Sequence, residues 1–155
     1  MRHPASVADA RRPQPGLAFT MTTDAGMLVG LATHDVPRIG SLVWIAAPTF
    51  DAEPTREQVE NIRSWRWPIL FPLNDAIRRK IVKPVATVPV PTHLLPFPTM
   101  RSGNRRIGWT AFTEVAGVHR QLGPTEDRSL PIYKVVNDTR LREMVASGWR
   151  PECEW

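Results

Sequence analysis

Sixteen prolines spread along 155 residues limit what this chain can become. Each fixes φ at about −65° and removes a backbone donor, so a proline interrupts a helix interior and is tolerated in a sheet only at an edge or a bulge. Long helices are therefore excluded. The pattern predicts short strands, loops and brief helices.

A hydrophobic fraction of 42% against 23% charged residues is that of a chain with a core, far from the composition of a disordered one. The length fits one domain, expected over residues 16–155 behind a flexible N-terminal arm at 1–15. The single cysteine, Cys153, allows no internal disulfide and no multi-cysteine zinc site, which points to a reducing compartment. The first fifteen residues hold no apolar run of signal-peptide length, and no later run approaches the ~20 apolar residues of a membrane helix. A cytoplasmic protein with no membrane partner is expected.

Apolar and small residues alternate over Leu17–Met21, and after turn residues Thr22–Gly26 an apolar run resumes at Met27–Ala32. A second turn over His34–Gly40 leads into Ser41–Ala46, so three strands in succession predict a meander. Thr55 and Gln58 have capping-box spacing ahead of Val59 and Ile62, which predicts a helix over 56–64. Ile69–Phe71 reads as a buried strand and Asn74–Lys80 as a helical turn. Ile81–Val90, interrupted by Pro84 and Pro89, reads as an edge strand. Pro91–Arg106 is expected to be a long exposed loop, whereas Gly108–Phe112 and Leu130–Val136 read as strands. Asn137 or Asp138 caps a helix through Ala146, with Leu141, Met144 and Val145 on one face and Gly148 to end it. The predicted fold is α+β, mainly β: a small, partly open β-barrel or a strongly bent antiparallel sheet with two or three short helices.

No set of residues assembles into a catalytic or metal site. His3, His34, His93 and His119 lie in no paired-ligand context, and neither a nucleophile elbow nor a phosphate-binding loop is present. His34 beside Asp35 has the makings of an oriented base, but Val36-Pro37-Arg38 reads as a surface turn and favours a structural role. Cys153 lies between Glu152 and Glu154, which disfavour its thiolate. No cofactor and no enzyme activity are expected.

The charge is more informative. Residues 63–106 carry nine bases against Asp75 alone, a local +8 in a chain of net +5, while residues 16–62 set six acids against two arginines. The basic stretch also holds Trp65, Trp67 and Phe97. Arginine and tryptophan are common anchors of protein interfaces, and the same pairing suits single-stranded nucleic acid. Trp65, Arg66, Trp67, Arg78, Arg79, Lys80, Arg101, Arg105 and Arg106 are the expected contact residues. A protein partner leads; a nucleic-acid-binding module using 63–106 is the alternative.

The order of features resembles the immunity-protein family numbered 26 of bacterial polymorphic toxin systems. The resemblance lies in the Gly16–Met21 strand, the strand holding Gly30, Trp67-Pro68-Ile69-Leu70-Phe71 and the Gly108-Trp109 strand. It covers about residues 16–136 and implies a small β-rich protein that neutralises a cognate toxin by occlusion, without a reaction of its own. An inhibitor of a nuclease is expected to be acidic. This chain is basic, so the resemblance implies either a toxin with an acidic face or contact through the acidic stretch 24–60.

Overall fold

The computed structural model describes residues 14–155, so the expected arm lies outside the described residues except for Gln14 and Pro15. Strands β1 (Leu17–Thr23), β2 (Gly26–Val36) and β3 (Gly40–Ala46) form the expected antiparallel meander. Thr23 makes the first turn, its hydroxyl accepting from the Ala25 amide at 3.2 Å. The strand β2 runs to Val36, through residues expected to turn, because a register shift between Ala32 and His34 keeps it paired with β3. Strand β4 (Trp65–Phe71) pairs with β3, and β5 (Lys83–Thr87) with β1, giving the order β4-β3-β2-β1-β5. The prolines inside strands of this sheet, Pro68 and Pro84, thus fall on its two outermost strands, where a missing N–H is best tolerated.

This sheet is covered on both faces, which explains the unbroken apolar run of β3. On one face, Phe19, Val43, Ile45 and Phe71 pack with helices α2 (Leu73–Arg78) and α3 (Asp138–Ser147). The other packs Val29, Leu31 and Ala46 against α1 (Arg56–Glu60) and Leu94. Helix α1 begins at the full capping box of Thr55 and Gln58. Helix α3 starts with the Asn137 side chain accepting from the Arg140 amide at 2.8 Å and stops at Gly148, whose φ of 67° is left-handed. In the sheet centre Phe19 lies across from Gly30, and a Cβ on Gly30 would stand 2.2 Å from the ring. Glycine is required there so that Phe19 can stack on Phe71, ring centres 5.9 Å apart.

A second, three-stranded sheet consists of β6 (Met100–Asn104), β7 (Gly108–Val115) and β8 (Val118–Pro124). It corrects two expectations. The stretch expected to be one long loop contains β6 and a single 3-10 turn at Thr92–Leu94. The strand expected at Leu130–Val136 is instead a strap with two isolated parallel bridges, Ile132 to Arg101 of β6 and Val135 to Leu70 of β4. It covers one edge of each sheet. Met100 and Phe112 join Leu42 and Leu70 in a third core cluster that ties the sheets together. The architecture is α+β and mainly β as expected, with bent sheets that do not close into a barrel. Among the described residues no helix is long and apolar enough to cross a membrane.

Candidate functional site

The expected contact residues do not form one surface. Trp67 is buried: its indole N–H donates to the Trp149 carbonyl at 3.0 Å and its ring meets Trp149 edge-on at 5.1 Å. Trp65 is half-buried against the core on the α1 side. Arg66 turns back onto the Ala47 carbonyl, donating from Nε at 3.2 Å and Nη2 at 2.9 Å. Arg78 and Arg79 are exposed at the end of α2 and both pair with Asp75. Lys80 follows in a left-handed conformation, φ 59°, that closes the helix. Arg105 and Arg106 are exposed in the β6–β7 turn, where the Asn104 side chain accepts from the amides of Arg106 and Ile107. Of the nine residues, five are exposed, and these divide between two elements.

Arg101 is the largest departure, since it is fully buried. On β6 it follows Met100, which faces the third core cluster, so alternation sends Arg101 to the opposite face. The strap and the C-terminal segment cover that face. The guanidinium donates from Nε to the Leu130 carbonyl at 3.2 Å, and from Nη2 to the carbonyls of Pro151 at 2.7 Å and Glu154 at 2.5 Å. It lies over the Trp109 ring, 3.9 Å from its centre, and Trp155 stacks nearby. Burial lowers its pKa from the usual arginine value, partly offset by the charges of Glu154, Asp127 and Glu152. Arg128 covers the Trp155 ring at 4.6 Å. Arg101 is therefore an internal clamp, and it cannot also be a contact residue.

A different surface has the features expected of a contact. Strand β8 is the outer strand of its sheet, and nearly all of its residues are exposed. The two-residue turn Ala116-Gly117 joins β7 to β8 between Val115 and Val118, which face each other across the hairpin and are 55% and 66% exposed. Beneath this tip an open cleft of about 710 Å³ lies between β2, the Leu95–Phe97 loop and the hairpin. Leu95, Phe97 and Val115 supply its apolar wall, and Leu95 is itself 55% exposed. Isolated exposed apolar side chains are ordinary on proteins; several around one cleft mark a site.

His34 lines the same cleft, but both ring nitrogens hold the fold. Nε2 lies 2.8 Å from the Leu95 carbonyl, which can only accept, so Nε2–H donates; Nδ1 faces the Thr33 hydroxyl at 2.9 Å. The ring also meets Phe97 edge-on at 5.4 Å. His119 stacks on Phe112 at 4.7 Å. Among the described residues no group of three or more His, Cys, Asp or Glu side chains could hold a metal ion. The hairpin has a sequence signal in its Ala-Gly turn between two valines, but β8 lacks the apolar alternation that would mark it as a strand.

The fold and site define an α+β protein of two antiparallel sheets, with an apolar hairpin on the smaller one and a cleft between that hairpin and β2 of the larger. Comparison with protein-family models, curated proteins and solved structures finds no match.

Proposed function

We propose that this protein acts by binding another protein in a stoichiometric complex, and that it is a cytoplasmic, non-catalytic antidote that occludes a cognate toxin. The observation that carries the binding reading is the apolar tip of the β7–β8 hairpin, where Val118 pairs with Val115 at the edge of an open cleft that Val115 and Leu95 line. Protein interfaces are anchored on clustered apolar side chains, and the exposed Leu95, Val115 and Val118 support that reading. The antidote reading rests on the resemblance carried by the Gly16–Met21, Gly30, Trp67–Phe71 and Gly108-Trp109 segments. The nucleic-acid reading has weaker support, because Trp67 is internal and Trp109 and Trp155 already carry guanidinium groups over their rings. Bases have few free aromatic faces to stack on.

The test is co-purification of the tagged full chain from its native host, beside a Val115→Asp/Val118→Asp variant. One protein at an equimolar amount, lost from the variant and inactivated as a toxin by the wild type, is the expected result. Recovery of nucleic acid alone, released steeply by salt, would reject the protein-binding reading.

A further inference from the structure

The cleft under the hairpin has a charge opposite to that of the protein. The chain is +5 overall, yet the only charged groups among the described residues lining this cleft are Asp35, near the end of β2, and Glu114, on β7. Neither is in a salt bridge with a described residue, in contrast to Asp75, Glu53, Asp138 and others, which pair with Lys or Arg. Asp35 is exposed and Glu114 half-exposed, so both carboxylates are open to solvent and to a partner. His34 contributes no free ring nitrogen, as both are engaged. The cleft therefore combines two unneutralised carboxylates with the apolar wall of Leu95, Phe97 and Val115.

We propose that this cleft receives an extended segment of the partner protein in which a Lys or Arg side chain sits beside an apolar one. The cation meets Asp35 and Glu114, and the apolar neighbour covers Phe97 and Leu95. The proposal rests on the protein-binding reading and supplies the partner's chemistry. Two observations favour a segment of a protein over a free small cation. The volume of about 710 Å³ lies well within the roughly 300–1,000 Å³ of clefts that bury ligands much larger than one amine. The apolar wall also continues outward through Val115 to Val118 on the tip, a rim that a small molecule inside the cleft would leave in water. Electrostatic complementarity then sets register and partner choice, while the apolar contacts supply most of the affinity. The charged contact would fall partly in the acidic stretch 24–60, through Asp35, while the stretch 63–106 would contribute its apolar residues Leu95 and Phe97 and none of its bases.

The experiment uses the full chain and a fluorescein-labelled seven-residue peptide of alternating valine and leucine with two inserted arginines, read by fluorescence anisotropy. Its counterpart has glutamate in place of both arginines. The arginine peptide is expected to bind at least tenfold tighter than the glutamate peptide, and Asp35→Lys/Glu114→Lys to remove that preference. Arg105→Glu/Arg106→Glu, on the β6–β7 turn, is expected to leave it unchanged. Should the double lysine variant fail to fold by circular dichroism, Asp35→Asn/Glu114→Gln is expected to reduce the preference severalfold. Equal affinity for the two peptides, or an unchanged preference in the cleft variants, overturns the proposal. Sedimentation that finds a dimer of the wild type and a monomer of the cleft variant assigns the cleft to a second copy and also overturns it. So does binding of the peptide only after Arg11→Gln/Arg12→Gln, which assigns the cleft to this chain's own N-terminal residues. An equimolar partner that stays bound to the cleft variant but is lost from Arg78→Glu/Arg79→Glu refutes the cleft assignment while leaving the protein-binding reading intact.

Discussion

Replacing Arg101 tests whether one buried cation holds the C-terminal segment to the small sheet. Its three hydrogen bonds reach Leu130, Pro151 and Glu154, residues 29 to 53 positions away. A hydrogen bond from a charged donor contributes about 1.5–3 kcal/mol net, so three would give about 5–9 kcal/mol if they added. They do not add fully, since they share one side chain, and burying the guanidinium costs several kcal/mol. The stacking on Trp109 contributes up to about 2 kcal/mol more. Arg101→Ala removes all of these, orphans the carbonyls and opens a cavity, and is expected to cost about 3–5 kcal/mol. That is a large fraction of the about 5–15 kcal/mol typical of a domain. Arg101→Met separates packing from polarity: it fills the stem volume but donates to nothing, and is expected to cost about 2–3 kcal/mol. Arg101→Lys keeps the charge without the fork and is expected to fall between Met and wild type. The assay is urea unfolding followed by far-ultraviolet circular dichroism, with tryptophan emission reporting Trp109 and Trp155. Arg101→Met within 0.5 kcal/mol of wild type would refute the clamp, as the three carbonyls would have lost nothing that matters.

Three further outcomes are expected. Gly30→Ala places a methyl group 2.2 Å from the Phe19 ring and should cost about 1–3 kcal/mol in urea unfolding, with Gly30→Ala/Phe19→Leu recovering part of the loss. Ala116 sits at φ 52° in the hairpin turn, a conformation that disfavours alanine, so Ala116→Asn should stabilise by about 0.5–1 kcal/mol and raise the melting temperature by about 1–4 °C. The Asp127 carboxyl has its pKa lowered, first by the Ser129 hydroxyl and then by the Ser129 amide donating to it. A lowered folded pKa gives stability that is present above the unfolded value, about 3.9, and lost as pH falls through the folded one. Wild type should therefore exceed Asp127→Asn in melting temperature at pH 7, and the gap should close as pH falls below about 4.

The large sheet was legible because its signals are local. Thr55 with Gln58, Asn137 with Gly148, and the apolar runs of β1 to β3 each act within a few residues, and the structure uses all of them. Pro84 marked an edge because its missing donor has the same meaning in any fold. The small sheet was not legible. Strands β6 and β8 read Met-Arg-Ser-Gly-Asn and Val-His-Arg-Gln-Leu-Gly-Pro, and neither alternates, because β6 turns one face to a buried arginine and β8 lies in solvent. Pairing to β7 makes them strands, a tertiary cause that overrides propensity. Leu130–Val136 had the composition of a strand but divides its pairing between two sheets. The basic stretch is not legible as a surface for a related reason: Arg101 is a residue type rarely buried, and the partners that make its burial tolerable, the carbonyls of residues 130, 151 and 154 and the Trp109 ring, are brought to it by the fold.

The strap at 130–136 has a consequence for synthesis of the chain. It is translated after every strand it covers, so while the polypeptide emerges from the ribosome, β4 and β6 each present an uncovered edge able to recruit a neighbouring nascent chain. Slow translation between residue 124 and residue 136 would prolong that exposure, and a protein truncated there would be prone to aggregate although all eight strands of the described residues were complete.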